Sequence, residues 1–359
     1  MTILQSSPLA NALAALADKV THVFVTGAGG FLGKALCTMM RSADIKVTGF
    51  ARGSYPELEQ MGVNMVQGDI CHLEKLKTAM QGCDLVFHVA SKAGIWGSKS
   101  DYYRPNVDGA ANIIEACNAL AIKHIVYTST PSVTFAGVDE AGIDESQPYA
   151  EHFLNYYAES KAIAEQMMLN ANSEYLKTVA LRPHLIWGPE DPHLVPRVIE
   201  RAKAGRLKLL GKTDKLVDTI YIDNAAYAHI LAGVNLLKTE THCAGKSYFI
   251  SNDQPITMAN MLNNILACVD MPPVTKRMPT FLAYGVGALL EWVYHLIAKK
   301  EEPMMTRFVA RQLSTSHYFT IDAAKNDLGY QPLITIEQGM QALKLSLSKQ
   351  DNTSRKNHE

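Results

Sequence analysis

Metal-ligand spacing is missing from this chain. Its six cysteines (Cys37, Cys71, Cys83, Cys117, Cys243 and Cys268) form no C-x-x-C pair and no Cys/His ligand pattern. That argues against a metal site or a disulfide framework, and the thiols read as small buried hydrophobes of a reducing compartment. Net charge is equally scarce: the formal value is -1 over 359 residues. No global field gathers nucleic acid, so no nucleic-acid partner is expected. The stretch Met1–Lys19 lacks the basic start of a signal peptide, which makes a cytoplasmic location the expectation. Leu9, Leu13 and Leu16 in that stretch have the spacing of a short amphipathic helix. An uninterrupted apolar run is absent too. Phe281–Ala298 comes nearest, but Glu291 and His295 break it, and an ionised carboxylate within hydrocarbon costs on the order of 3 kcal/mol. The run reads first as a substrate-lobe helix. A peripheral membrane contact, suggested by Trp292, Tyr294 and Lys299-Lys300, comes second, and a true span last.

What is present is a rhythm. Short apolar runs at His22–Thr26, Val47–Phe50, Val63–Val66, Asp84–Ala90, His124–Thr130 and Thr178–Leu185 alternate with helical patterns such as Phe31–Met39, Leu73–Met80, Asn106–Leu120 and Tyr157–Asn170. Strands alternating with helices of this kind predict an α/β fold with a doubly wound parallel sheet of the Rossmann type. After Trp187-Gly188-Pro189 the rhythm breaks, and the rest reads as mostly helical. The expected organisation is an N-terminal extension (1–20), a dinucleotide-binding domain (21–187, with segments around 215–250 interleaved), a smaller, mainly substrate-binding lobe (188–348) and a polar, disordered tail (349–359).

Thr26–Gly33 (TGAGGFLG) joins the first strand to the first helix. The spacing is G-x-x-G-x-x-G, at Gly27, Gly30 and Gly33. A tight turn, close approach to a pyrophosphate and helix-on-strand packing all need glycine there, and the helix-start amides of Phe31 and Leu32 then meet the phosphate charge. Near the end of the second strand stands Arg52 rather than the Asp or Glu that would hold the 2′-hydroxyl of NAD. Arginine suits a 2′-phosphate, so the predicted cofactor is NADP(H). Asp69 and Ile70 close the third strand, and Ala90 and Pro183 stand at later strand ends; these four complete the expected cofactor set.

In Tyr157-Ala158-Glu159-Ser160-Lys161 a four-residue step sets Tyr157 and Lys161 on one helix face. A free phenol has a pKa of about 10, and an ammonium within roughly 4–6 Å lowers it towards neutrality. The pair is the expected proton-handling machinery. A hydroxyl from Ser129, Thr130 or Ser132, after the fifth strand, would orient a substrate carbonyl; Thr130 is the choice, although strand alternation leaves the others open. Lys92 and His184 are candidate substrate contacts. Asn106 is a candidate buttress of the site.

With TGAGGFLG at Thr26–Gly33, GDI at Gly68–Ile70, YTST at Tyr127–Thr130 and YAESK at Tyr157–Lys161, the chain resembles the extended short-chain dehydrogenases/reductases. RPHLIWGP at Arg182–Pro189 and DLGYQP at Asp327–Pro332 are similar to their 3β-hydroxysteroid dehydrogenase-like branch. Within it, HVASKAGIWG (His88–Gly97), YTSTPSVTFAG (Tyr127–Gly137) and RPHLIWGPEDPHLVPRV (Arg182–Val198) resemble the 2-alkyl-3-oxoalkanoate reductases of bacterial olefin biosynthesis. The resemblance implies NADPH-dependent reduction of a long-chain 2-alkyl-3-keto acid, with Tyr157, Lys161 and Thr130 catalytic. It also implies a lipid-like substrate, for whose carboxylate Lys92, His184 or Arg197 are candidates. A homo-oligomer and association with other olefin-pathway enzymes are the expected assemblies. Sterol dehydrogenation is the alternative; a nucleotide-sugar epimerase or an NADP-sensing protein without turnover stands behind it.

Overall fold

The computed structural model describes residues 7–297, 299 and 301–356. Its centre is a seven-stranded parallel sheet. Along the chain its strands are β1 (His22–Thr26), β2 (Lys46–Ala51), β3 (Asn64–Gln67), β4 (Leu85–His88), β5 (His124–Thr128), β6 (Lys177–Pro183) and β7 (Lys246–Ile250). In space they run β7-β6-β5-β4-β1-β2-β3. The inner strands β1 and β4 are buried at every position, as helices on both faces require. The order reverses beside β1, and there the carboxyl ends of the strands open a crevice.

The N-terminal leucines form the helix Ser7–Ala17, which buries Leu9, Leu13 and Leu16 in the core. It packs on the Ile222–Leu236 helix. The polar tail is not wholly irregular: the helix that begins at Ile336 continues to Lys356, while the final residues 357–359 lie outside the described ones, as do 1–6.

Sequence reading misses a second, four-stranded sheet. It runs Ile256–Thr257, Leu216–Val217, His317–Phe319 and Glu140–Ile143. Strands of two to four residues carry too little alternation to register as periodicity. Glu140–Ile143, which comes before the Tyr156–Asn170 helix, pairs in parallel with His317–Phe319. Similarly, β7 pairs with β6 across some sixty residues of intervening chain.

Candidate active site

The crevice is a cleft of about 1580 Å³ that runs from the glycine turn to Phe308 and Leu313. It exceeds the usual space for one small ligand and suits two. Gly27 adopts φ +66°, and a Cβ there would come within 2.9 Å of the Ala90 backbone. A Cβ on Gly33 would strike the Gly27 carbonyl oxygen at 2.1 Å, so the Phe31–Ser42 helix packs directly on the turn. Gly30 caps that helix without any side-chain hydrogen bond. The first-turn amides thus open onto a cleft lined by Phe31 and Leu32, a fit for a dinucleotide phosphate. Thr26 ties the two loops together: its hydroxyl accepts from the amides of Val89 and Ala90 at 3.1 and 3.0 Å.

Arg52, Asp69, Ile70, Ala90 and Pro183 all line the same cleft. The Arg52 side chain is exposed and has no ion pair among the described residues. The Asp69 carboxylate accepts from the Cys71 amide at 2.9 Å, the main reason its pKa lies below the ordinary value. Tyr55 was not foreseen. Its ring lies so close over Gly29 that any Cβ there would overlap it. Its only trace in the sequence is an aromatic three residues beyond Arg52.

Asn155 starts the next helix, Tyr156–Asn170, its side chain accepting from the Ala158 amide at 2.8 Å. That cap sets Tyr157 in the first turn, where it faces the cleft and its neighbour Tyr156 stays exposed. The Thr130 hydroxyl pulls the Tyr157 phenol pKa down against the effect of burial. Thr130 also donates to Ser132 Oγ at 3.3 Å, whereas Ser129 Oγ is buried with no partner. Of the three hydroxyls, Thr130 is the one that influences the acidity of the phenol.

Lys161 departs from expectation in its electrostatics. Its ammonium donates to the Thr128 carbonyl at 2.6 Å and lies 4.2 Å from the centre of the Tyr127 ring. Burial lowers its pKa to about 7, partly countered by Glu165. Burial likewise raises the Tyr157 pKa, and the pull downward comes from Thr130 rather than from Lys161. A shared helix face fixes proximity but not direction, and an ammonium with a carbonyl within reach satisfies that first.

Asn106 and Lys92 meet. The Lys92 amide donates to Asn106 Oδ1 at 2.7 Å, and Asn106 Nδ2 donates to the Lys92 carbonyl at 3.2 Å. The Lys92 side chain is exposed in the cleft, its ammonium 5.9 Å from the Tyr102 ring centre; it has no ion pair among the described residues. His184 is buried, with Nε2 2.7 Å from His317 Nδ1, so its ring already has a protein partner. Arg197 is spoken for as well, paired to Glu302 at 3.0 Å. Behind the helix, Arg182 and Glu165 form a buried ion pair, with Arg182 Nε 3.2 and 3.0 Å from the two carboxylate oxygens. Nothing in local sequence announces this pairing, since it joins a strand to a helix across seventeen positions.

The 3-beta hydroxysteroid dehydrogenase/isomerase family model matches residues 24–278. The 2-alkyl-3-oxoalkanoate reductase of Shewanella oneidensis is 67% identical over 343 residues, 94% of this chain and 89% of that protein. The reductase of the same name from Stenotrophomonas maltophilia is 48% identical, covering 90% of this chain and 98% of that one. The mouse sterol-4-alpha-carboxylate 3-dehydrogenase (decarboxylating) is 32% identical over 90% of each chain. Among solved structures, an epimerase from Methanothermobacter thermautotrophicus shares the fold with a TM-score of 0.77 at 18% identity, covering 98% of both chains. A UDP-glucuronic acid 4-epimerase from Bacillus cereus, solved with NAD, gives 0.70 at 19% identity over 91% of this chain and 99% of that one. Glycine turn, strand-end hydroxyl and helix-borne phenol thus stand in a chain that belongs to the 3-beta hydroxysteroid dehydrogenase/isomerase family and is an oxidoreductase.

Proposed function

We propose that this chain uses NADPH to reduce a long-chain 2-alkyl-3-oxoalkanoate to the 3-hydroxy acid. The observation that carries the reading is the 67% identity to a reductase of that name, joined to a phenol and a hydroxyl, Tyr157 and Thr130, that line the same cleft. Bound NADPH would supply hydride to the ketone carbon.

The protein's own groups do the rest. Gly27, Gly30 and Gly33 leave room for the pyrophosphate, and the amides behind Phe31 and Leu32 oppose its charge. Arg52 meets the 2′-phosphate, Asp69 and Ile70 border the adenine side, and Ala90 and Pro183 flank the nicotinamide end. Thr130 holds the ketone oxygen and Tyr157 gives it a proton. A phenol whose pKa is raised by burial keeps its proton until the alkoxide forms. Lys161 holds the cofactor ribose and restores the proton to Tyr157.

Lys92 takes the carboxylate. Both named substrate types, the 2-alkyl-3-oxoalkanoate and the sterol-4-carboxylate, set that charge on the carbon next to the reacting one. A free ammonium on the cleft wall meets it there. Leu194, Leu209, Met261, Leu262, Met305 and Phe308 offer the alkyl chains an apolar lining. Asn106 is a positioning residue, and so is His184, through its bond to His317. Self-association and contact with other olefin-forming enzymes are part of the proposal on the family resemblance alone. So is the division into a dinucleotide-binding domain and a substrate lobe.

The test is NADPH oxidation by purified enzyme across 3-keto acids and 3-ketosteroids. Turnover of branched long-chain 3-keto acids is expected. Activity confined to sterols would replace the substrate assignment.

A further inference from the structure

A second, much smaller cavity lies behind the wall of the cleft. Ser132, His184 and Gln312 line both spaces, so the two abut, while Glu140 and His317 line the small one alone. It measures about 10 Å³, room for one water.

Glu140 opens the strand Glu140–Ile143 and is paired directly with His317. Paired residues of neighbouring strands point to one face of a sheet, which brings carboxyl and imidazole to the cavity together. Glu140 is 4% exposed, and its Oε1 has no hydrogen-bond partner among the described residues. The histidines give it no charge. His317 Nε2 donates to the Gln312 carbonyl at 2.7 Å, so its Nδ1 accepts from His184 Nε2, 2.7 Å away, and burial lowers the pKa of both rings, which leaves them neutral. Arg182, within electrostatic reach of Glu140, is already paired to Glu165. Asp218, beside the same small sheet, accepts from the Phe319 amide at 2.8 Å. Burial accordingly pushes the Glu140 pKa up to about 7. A carboxyl so placed keeps its proton near neutrality, and its unpartnered oxygen needs a water to satisfy it.

From the cavity a row of hydroxyls leads to the chemistry. Thr130 caps the short turn Pro131–Val133, its side chain accepting from the Ser132 amide at 3.3 Å. The turn holds the two hydroxyls together, with Thr130 Oγ1 3.3 Å from Ser132 Oγ. At the other end Thr130 acts on the Tyr157 phenol, drawing its pKa down against burial. Thr130, Ser132 and Tyr157 all line the cleft. A hydroxyl both donates and accepts, so such a row can pass a proton by turning each O–H in sequence.

We propose that the small cavity binds one water between Ser132 and Glu140, and that Glu140 is a proton reserve which refills Tyr157 through this water, Ser132 and Thr130. Once Tyr157 has protonated the product oxygen, Thr130 gives its proton to the phenolate and Ser132 gives one to Thr130. The water then protonates Ser132, and Glu140 protonates the water. Each O–H bond broken is matched by one formed, and Glu140 is left as a carboxylate. After the product leaves, a proton entering by the open cleft recharges it along the same row. Glu140 acts through the hydroxyls and not on the substrate, and Lys161 remains a separate route to the phenol. The reserve rests on the proposed ketone reduction for the phenolate that it refills.

The experiment compares Glu140→Gln with wild type in NADPH oxidation by a 2-alkyl-3-oxoalkanoate. A single turnover, with enzyme in excess over NADPH, uses only the proton already on Tyr157 and is expected to match the wild-type rate. Steady-state kcat needs the phenol refilled in every cycle and should fall roughly tenfold, with KM for the ketone unchanged. Ser132→Ala interrupts the same row and should lose as much, and the two changes together no more than either alone. An infrared measurement needs no ketone, so a failure of the reserve is distinguishable from a failure of the reduction. In it the cofactor-free wild type should show a protonated-carboxyl band that titrates near pH 7 and is missing from E140Q. An unchanged kcat, a first turnover slowed as much as the steady state, or losses that multiply in the double variant would overturn the inference. So would spectra of wild type and E140Q without that difference.

Discussion

The Asn106 amide nitrogen stands 2.9 Å from Ser160 Oγ, which in turn donates to the Tyr157 carbonyl at 2.9 Å. The same amide group holds both backbone groups of Lys92. One buried side chain, 2% exposed, therefore ties the loop that carries Lys92 to the first turn of the helix that carries Tyr157. Replacing Asn106 with Ala breaks the tie and leaves buried polar groups unsatisfied, at about 1–3 kcal/mol. The expected outcome is a lower Tm and a kcat reduced by roughly tenfold or more, because a small misplacement is enough to slow the chemistry. Thermal unfolding together with steady-state kinetics checks both.

Tyr157→Phe removes the donated proton but keeps the ring. Turnover should fall by roughly 10²–10⁴, while NADPH affinity, read by fluorescence titration, stays within a few-fold of wild type. Undiminished turnover would remove Tyr157 from the mechanism.

Lys161 gives a pH signature. Burial holds its folded pKa near 7 against an ordinary 10.5, so above pH 7 the unfolded chain binds the extra proton. Stability must then rise with pH across the window from about 7 to 10.5, and the penalty of burying the amine is felt in full below it. Lys161→Met has no such dependence. Between pH 7 and 9 the cofactor-free wild type should gain about 2 kcal/mol relative to this variant in urea unfolding. A flat difference would mean that the amine stays charged in its site.

Arg52→Asp should reverse the cofactor preference. The ratio of kcat/KM for NADPH over NADH is expected to fall on the order of a hundredfold, since a bidentate phosphate contact becomes a like-charge one. A ratio unchanged by the substitution would make Arg52 a solvated surface residue.

Lys92→Met should lower kcat/KM roughly tenfold for a 3-keto acid and leave its methyl ester unaffected. A further readout is the product. Loss of CO₂ from a 3-keto acid moves the carboxylate charge towards the ketone oxygen, so a cation held at the carboxylate opposes it. The variant should release more decarboxylated ketone. Equal losses for acid and ester would point to a loop defect instead.

Much of the α/β frame was legible because each central strand is a continuous apolar run and each covering helix is long enough to show its period. The glycine turn was legible for a similar reason: φ at Gly27 and the contact at Gly33 admit no side chain, so the need is written in residue type. Directions of long side chains were not. Lys161 turned to the Thr128 carbonyl, and His184 found a histidine 133 positions away. Partners chosen by tertiary packing leave no periodic mark. The helix Thr280–Leu296 was readable as apolar, and neither it nor any other helix of the described residues is long and apolar enough to cross a membrane. Only the packing of Gly287 on the Thr306 backbone and the bond from the Arg307 amide to Glu291 tell which side faces inward.

The chain crosses between the seven-stranded and four-stranded sheets more than once: Glu140–Ile143 leaves for the smaller, and β7 comes back to the larger. No single cut separates them. A fragment ending near residue 187 would strand Glu140–Ile143 without its neighbour and bare the edge of β6. The segments before and after residue 187 are therefore bound to melt in one transition, and pulling them apart would first require unzipping a ladder in each sheet.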